Sequence, residues 1–304
     1  MWCLRRRART PSEQAFDPVL PEPGEWFVAE PPEDQVPVEV DWAGKDSQPI
    51  DYSHLRGADP ATVQAAADRM AWFHRIELPG GVVTPGLMSP EEPYQLMGIP
   101  AAIKGKSVLD VGTGDGGFAF LCERDGAARV VACDVDSHLE LDLGRGPAYQ
   151  FYLSRYLQAR QKSPQSHWVF LNGRPLRFWL AHTCLQSKVE RVHARPDQLS
   201  PERVGRFAVT LVMGHFHHLR NPLAALDALY SVTEERSFIS SEVDLDQNLG
   251  VNGLAFYPEA YRNDCSNWFI PTPRCLVGML QSVGYRRVRH IAVRGTTAYL
   301  EAVV

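Results

Sequence analysis

Short apolar runs alternate with longer amphipathic stretches from Lys106 to the last residue. The runs are rich in branched aliphatic side chains, which is typical of buried strands, and the stretches between them have the periodicity of helices. This alternation predicts an α/β fold with a mostly parallel sheet covered by helices on both faces. The predicted strands are 106–111, 129–134, 189–194, 207–213, 236–242, 286–293 and 297–303, and the predicted helices are 117–124, 147–161, 175–187, 221–233 and 273–283.

The chain before this alternation has a different pattern. Residues 1–58 are rich in proline and acid with isolated aromatics, a composition that does not build a core by itself, so we expect an irregular N-terminal extension. Asp59-Pro60 has the residue types of a helix N-cap and first helical position, which predicts a helix over 61–73. Residues 59–100 are assigned to a helical lead-in or lid segment, and 101–304 to the main domain.

The interval between the second and third predicted strands is longer than one crossover helix requires. An insertion at about 140–187 contains aromatic-rich segments at 149–157 and 174–182. An extra helix on this side of a doubly wound sheet can overhang the carboxyl ends of the strands, where ligands bind. The insertion is therefore interpreted either as a lid over that edge or as a packing helix or dimer contact.

A glycine-rich turn follows the first predicted strand, in the sequence SVLDVGTGDGG. Glycines let the backbone approach a ligand closely, and a following helix presents N–H groups at its N-terminus. The spacing of Gly112, Gly114 and Gly117 fits the dinucleotide fingerprint. The S-adenosylmethionine version, Asp-x-Gly-x-Gly-x-Gly, is matched equally well from Asp110 to Gly116. The glycines alone do not distinguish the two cofactors.

Three neighbouring features support S-adenosylmethionine. Asp110 ends the strand, where a carboxylate can meet the amino group of a methionine moiety but would repel a pyrophosphate. Asp134 ends the next strand and can bind ribose hydroxyls, which both cofactors carry. The last two strands, separated by Arg294-Gly295-Thr296, predict an antiparallel pair that is expected of a methyltransferase sheet and not of a dehydrogenase. The candidate cofactor contacts are Asp110, Gly112, Thr113, Gly114, Gly116, Asp134 and Met213.

A loop with three histidines follows the fourth predicted strand, at the carboxyl edge of the sheet. Histidine is the usual general base for a hydroxyl or amine nucleophile, because its pKa lies near neutrality. His217 and His215 are preferred as the base, since His218 can instead orient the loop and cap the helix that begins near Asn221. A metal is not expected, because this spacing is not a zinc pattern and no acid lies close in sequence.

Glu242 ends the fifth predicted strand at the same edge of the sheet. It can bind substrate or act as the base. The alternative is a buried carboxylate that accepts hydrogen bonds from the loop backbone. Both interpretations remain open at the level of sequence.

Composition limits the partners and the compartment. A net charge of −5 argues against a nucleic-acid partner, which normally needs a basic face. No apolar run reaches the roughly 18 residues of a membrane span, and no apolar segment follows the N-terminal arginines, so we expect neither a membrane anchor nor a signal peptide. The cysteines lack C-x-x-C spacing, and Cys122 and Cys133 lie in apolar elements, which indicates reduced thiols and a cytoplasmic protein.

Several segments together carry a family resemblance. They are the string from Gly205 through Met213-Gly214-His215-Phe216-His217-His218-Leu219-Arg220-Asn221-Pro222-Leu223, then Tyr257 to Tyr261, Asn267-Trp268-Phe269-Ile270-Pro271-Thr272 and Met279 to Tyr285. This combination resembles the tRNA wobble-uridine-5-oxyacetate methyltransferase-like family over about 70–304. Trp72-Phe73-His74 with Thr84-Pro85-Gly86 resembles the corresponding N-terminal segment of its shorter relatives.

The resemblance implies a Rossmann-like class I methyltransferase fold with a seven-stranded sheet. By position it also implies cofactor contacts at Asp110, Gly112, Gly114 and Asp134, and an active-site wall from 257–271. The candidate substrate contacts are Trp72, His74, Tyr257, Tyr261, Trp268 and Phe269.

Departures from this family change the expected cofactor and acceptor. Cys265 stands where tRNA-acting members have the arginine that pairs with the carboxylate of carboxy-S-adenosylmethionine, and its loss would leave that carboxylate unpaired. Ordinary S-adenosylmethionine is therefore expected. Ala208 replaces the acid usual near the start of the fourth strand, and the long basic surface for tRNA is missing. Members with the short N-terminal segment are often small-molecule methyltransferases.

The sequence thus predicts an S-adenosylmethionine-dependent methyltransferase that acts on a small molecule, with an oxygen atom of a specialised metabolite as acceptor. A homodimer is a further possibility. The two alternatives are a tRNA wobble-uridine-modifying methyltransferase and a protein that binds the cofactor without catalysis.

Overall fold

A computed structural model describes residues 51–136, 140, 174–245, 253–257, 261 and 267–304. Nearly all of the predicted 1–58 extension, the predicted 147–161 helix and Cys265 lie outside these residues. Among the described helices, none is both long enough and apolar enough to span a membrane.

The described elements follow the alternation expected from Lys106 onward. The strands are β1 (Trp72–His74), β2 (Glu77–Leu78), β3 (Val82–Val83), β4 (Gly86–Met88), β5 (Ser107–Val111), β6 (Arg129–Asp134), β7 (Glu190–His193), β8 (Phe207–Met213), β9 (Thr233–Glu242), β10 (Leu254–Phe256), β11 (Phe269–Pro271), β12 (Arg287–Arg294) and β13 (Thr297–Val303). The helices are α1 (Pro60–Ala67), α2 (Glu91–Leu96), α3 (Ile99–Ile103), α4 (Gly117–Arg124), α5 (Arg174–Leu185), α6 (Pro201–Val204), α7 (Pro222–Val232) and α8 (Pro273–Ser282).

Seven strands form one sheet in the order β12-β13-β9-β8-β5-β6-β7. The pairs from β9 to β7 are parallel, whereas β13 runs antiparallel to β9 and to β12. The predicted α/β fold and the terminal antiparallel pair are therefore confirmed. Strand order reverses between β5 and β8, and ligands of open α/β sheets bind at the carboxyl ends of the strands beside such a reversal.

The two faces of the sheet pack against different helices. Alternate side chains of a strand point to opposite faces, so Val108 packs with one cluster and Leu109 and Val111 with the other. The first cluster includes buried residues of α1, α3, α4 and α5, and the second includes those of α7 and α8. All three strand residues are at most 1% exposed, which stabilises the fold by about 1.5–3 kcal/mol for each large apolar side chain.

Helix α1 is shorter than the predicted helix over 61–73. Its start is as expected, because the Asp59 carboxylate accepts hydrogen bonds from the backbone N–H groups of Ala61 and Thr62. The helix ends at Ala67, whose carbonyl accepts a hydrogen bond from the Trp72 indole N–H at 2.9 Å. The chain then becomes extended, and β1 pairs in parallel with β4. Tertiary pairing thus replaces the last helical turn that the sequence pattern suggested.

The end of the predicted insertion is a packing helix. The aromatic-rich 174–182 segment lies in α5, and its side chains Phe178, Leu180 and Ala181 are fully buried in the first cluster. Helices α2 and α3 were not placed individually from the sequence, which assigned 59–100 as a whole to a helical segment. They bury Tyr94 and Ile99 against the same cluster.

Candidate active site

The glycine-rich turn between β5 and α4 has the backbone conformations that glycine favours. Gly112, Gly114 and Gly116 have φ angles of 74°, 57° and 91°. A Cβ atom on Gly112 would lie 2.7 Å from the His215 ring, and one on Gly117 would lie 2.8 Å from the His74 ring. The two neighbouring rings leave no space for a Cβ atom, so both positions require glycine.

Two strand-ending carboxylates lie at this turn. Asp110 is 1% exposed, and one of its oxygens accepts a hydrogen bond from the Thr113 hydroxyl at 2.6 Å. Burial raises the pKa of the Asp110 carboxyl to about 7, and the nearby Asp134 carboxylate adds to this effect. Asp134 accepts hydrogen bonds from the backbone N–H groups of Gly114 at 2.7 Å and Val135 at 2.8 Å.

The charge of these two carboxylates bears on which cofactor the turn can hold. Two neighbouring carboxylates disfavour a further anion such as pyrophosphate and favour a ligand that brings positive charge. S-adenosylmethionine carries a sulfonium and an ammonium group. The residues at the turn therefore fit S-adenosylmethionine better than a nicotinamide dinucleotide.

Asp115, inside the turn, has an unpredicted structural role. One carboxylate oxygen accepts hydrogen bonds from the backbone N–H groups of Phe73 and His74, at 2.6 and 3.0 Å. The other accepts from Arg177 Nε on α5 at 2.5 Å. Burial by itself would raise the pKa of this carboxyl, but Arg177 and His74 outweigh it and hold the pKa below its ordinary value. An acid within a glycine turn and an arginine within an aromatic helix were the available sequence signals.

A cavity of about 400 Å³ lies at the carboxyl ends of β8 and β9. Aromatic and other apolar side chains make up half of its lining residues, and the other half are glycine or polar. The apolar set is Phe73, Met88, Pro93, Phe118, Met213, Tyr261 and Tyr299, and the other lining residues are Gly214, His217, His218, Ser240, Glu242, Asn267 and Thr297. The predicted residues Met213, His217, His218, Glu242 and Tyr261 are thus brought together. Phe73, Met88, Phe118, Asn267 and Tyr299 were not anticipated.

Some predicted site residues are among the described residues but do not line this cavity. Trp72 was predicted to contact the substrate, but it is 1% exposed and belongs to the core. Its indole N–H donates a hydrogen bond to the Ala67 carbonyl there. His74 is buried behind the glycine turn, where its Nδ1 accepts a hydrogen bond from the Gly117 N–H at 3.3 Å. His215, predicted as a candidate base, packs against Gly112 and is 5% exposed.

The β10–β11 hairpin packs behind the histidine loop. The backbone N–H of Trp268 donates to the His217 carbonyl at 2.9 Å, and the N–H of Tyr257 donates to the Trp268 carbonyl. Phe269 pairs with Phe256 in the same hairpin. Tyr257, Trp268 and Phe269 therefore support the loop. Among the residues of the predicted 257–271 wall that the structure describes, Tyr261 and Asn267 line the cavity.

Two of the three histidines lie close together on the cavity wall. The ring centroids of His217 and His218 are 4.3 Å apart. Burial, followed by the neighbouring histidines, lowers the pKa of His217 well below its ordinary value. Glu242 accepts a hydrogen bond from the Thr296 hydroxyl at 2.8 Å, and its backbone N–H donates to His217 Nδ1 at 3.4 Å. The described residues contain no group of three or more histidine, cysteine or acidic side chains that could hold a metal.

Comparison with known proteins assigns the fold to a family. The profile of a methyltransferase-domain family matches residues 92–290, more than half of the chain. This protein belongs to the methyltransferase-domain family. It is an S-adenosylmethionine-dependent methyltransferase, in agreement with the geometry of the glycine turn. No functionally curated protein matches the chain at significant similarity.

Solved structures share the fold of this methyltransferase. The N-terminal domain of EvdMO1, crystallised in the presence of S-adenosylhomocysteine (SAH) and D-fucose, has a TM-score of 0.55 and 15% identity, covering 81% of this chain and 96% of that chain. The same domain with SAH bound has a TM-score of 0.55 and 15% identity, covering 81% and 95% of the two chains. These similarities support the Rossmann-like seven-stranded sheet.

Removing the Arg177 guanidinium from its buried ion pair with Asp115 should destabilise the fold strongly. Arg177→Met leaves a carboxylate buried without its ionic partner, and we expect a loss of about 3–5 kcal/mol in the free energy of unfolding, measured by denaturant titration. Arg129→Met is the matched control, because its pair with Glu190 is about half exposed on both sides and should cost under about 1 kcal/mol. Equal losses in the two variants would contradict the proposed role of Asp115.

Asp110 should make stability of the ligand-free protein depend on pH. Its folded-state pKa of about 7 lies above the unfolded value, so its contribution is fully present below about pH 4 and is lost as pH rises through 7. The expected slope is up to roughly 1.4 kcal/mol per pH unit between pH 4 and 7. Asp110→Asn should remove this slope, and parallel stability curves for the two proteins would refute the assignment.

Proposed function

We propose that this methyltransferase transfers a methyl group to an oxygen atom of a small molecule held in the cavity at the ends of β8 and β9. The observation that supports this proposal is a cavity that reaches Phe118, directly after the glycine turn, and whose wall combines aromatic and other apolar side chains with six polar residues. Its volume of about 400 Å³ lies in the range typical of small-molecule sites, and such sites are lined in this way.

The glycine turn is the proposed cofactor site. Asp110, Thr113 and Asp134 would hold the cofactor with the backbone of Gly112, Gly114 and Gly116, and Met213 lies on the cavity wall where β8 ends. Bound S-adenosylmethionine supplies an activated methyl group. Because the methyl is already activated, the tasks left to the protein are to align the acceptor and to remove a proton.

The cavity wall suggests how the acceptor is held. Phe73, Tyr261 and Tyr299 offer aromatic surface to an apolar or aromatic body and exclude water around it. Glu242 and His218 lie on the same wall and are the candidates for the base. His215 packs behind the turn, so the order of candidates differs from the one that the sequence suggested.

The family resemblance found in the sequence suggests a different methyl acceptor, a tRNA. The segments that resemble the tRNA wobble-uridine-5-oxyacetate methyltransferase-like family form β8, its histidine loop, the β10–β11 hairpin and α8. Of these elements, the end of β8 and the histidine loop contribute residues to the cavity wall, and they suit either acceptor. The net charge of −5 and the apolar side chains of the cavity wall favour the small molecule.

Cofactor binding tests the proposed contacts without knowledge of the acceptor. Calorimetry should show that the protein binds S-adenosylhomocysteine and does not bind NAD. Asp134→Ala should weaken the binding of S-adenosylhomocysteine about 10- to 150-fold, because a charge-assisted contact contributes roughly 1.5–3 kcal/mol. Asp125→Ala, at the opposite end of α4, is the control and should bind normally. Tight binding of NAD, or an Asp134→Ala variant that binds S-adenosylhomocysteine normally, would refute the proposed cofactor contacts.

Salt dependence separates the small-molecule acceptor from tRNA. A protein that neutralises several phosphates loses affinity by orders of magnitude between about 50 and 200 mM salt. We expect no specific binding of bulk tRNA in filter or fluorescence assays, and an affinity for S-adenosylhomocysteine that changes little over this range. Tight tRNA binding that falls steeply with salt would favour the tRNA-modifying alternative.

A further inference from the structure

The hydrogen bond between Glu242 and His217 determines which nitrogen of the histidine carries a proton. A backbone N–H can only donate, so His217 Nδ1, 3.4 Å from the Glu242 nitrogen, must accept. Burial keeps the ring neutral, because it lowers the pKa of His217 well below its ordinary value. A neutral imidazole carries one proton, which therefore lies on Nε2.

The surroundings of His217 hold the ring in this orientation. The residue is 8% exposed and lies in the short helical turn Phe216–His218. The backbone carbonyl of His217 accepts a hydrogen bond from the Trp268 N–H at 2.9 Å. The titratable groups around the ring are His215 and His218 in the same loop and Glu242 at the end of β9. Both neighbouring histidines disfavour a charge on His217, so the neutral form is reinforced from its own loop.

We infer that His217 donates a hydrogen bond through Nε2–H to the acceptor oxygen, while Glu242 receives the proton that the hydroxyl loses. This inference rests on the proposed function and names its acceptor class, an alcohol or phenol hydroxyl. His217 keeps its own proton throughout. The proton released from the hydroxyl passes to a carboxylate oxygen of Glu242, which lies on the same cavity wall.

The donor and acceptor pair favours oxygen over nitrogen for a simple reason. A hydroxyl oxygen has two lone pairs and one proton, so it can accept from His217, donate to Glu242 and still present a lone pair for methylation. A neutral amine nitrogen has a single lone pair. A hydrogen bond from His217 would occupy the electrons that the nitrogen needs for reaction.

The tautomer can be measured directly on the unmodified protein. Nitrogen-15 NMR of histidine-labelled protein distinguishes a protonated ring nitrogen from an unprotonated one, and comparison with His217→Gln assigns the signals. We expect protonated Nε2 and unprotonated Nδ1, unchanged from pH 7.5 down to about one unit below the ordinary histidine pKa of about 6.5. Protonated Nδ1, or a titration near pH 6.5, would overturn the inference. This measurement involves no methyl transfer, so its result is separate from that of the proposed function.

Phenol and aniline provide the matched probes of acceptor recognition. With S-adenosylhomocysteine present, phenol should shift the Nε2–H resonance of His217, and aniline should shift it less. His217→Gln retains an amide donor at about the same position and should bind phenol nearly as well as the unmodified protein. His217→Ala should bind it about 2- to 13-fold more weakly, as expected for one neutral hydrogen bond.

The opposite outcomes are equally clear. If phenol fails to bind, binds without moving the Nε2–H resonance, or is outcompeted by aniline, the recognition of a hydroxyl by His217 is refuted. If the Gln and Ala variants bind phenol equally weakly, the ring acts through packing and not through its donor. Normal binding of S-adenosylhomocysteine in both variants serves as the control for folding.

Discussion

The buried carboxylate of Asp115 connects three separate parts of this methyltransferase. It accepts hydrogen bonds from the backbone of β1 and from Arg177 on α5, and it lies within the turn between β5 and α4. Because the carboxylate and the guanidinium are almost fully buried, each requires the other. The pair thereby places β1 against the glycine turn, with Phe73 on the cavity wall and His74 behind the turn.

The glycine turn combines a tightly packed backbone with two buried acids. Glycines at Gly112 and Gly117 leave room for His215 and His74, so the turn is supported from behind by two imidazole rings. Asp110 and Asp134 bring negative charge to the same place, and the cost of burying Asp110 appears as its raised pKa. A ligand with positive charge lowers that cost, whereas a pyrophosphate would increase it.

Three histidines in one short loop have three different surroundings. His215 packs on the glycine turn, His217 is bonded through Nδ1 to the end of β9, and His218 lies on the cavity wall beside a second small cleft. Their shared residue type suggested a shared role as candidate base. Their burial and hydrogen bonds therefore distinguish a ring behind the glycine turn, a buried ring bonded to the end of β9 and a ring on the cavity wall.

Local pattern in the sequence determined the sheet and the cofactor turn. Every predicted strand was found within a few residues of its expected place, because alternation of apolar runs and the chemistry of a glycine turn depend on neighbouring residues. The end of α1 at Ala67, the core position of Trp72, the Asp115–Arg177 pair and the contribution of Met88, Phe118 and Tyr299 to the cavity depended on the tertiary structure. In each case the partner lies on another element, so only the packing of the sheet brings the two together.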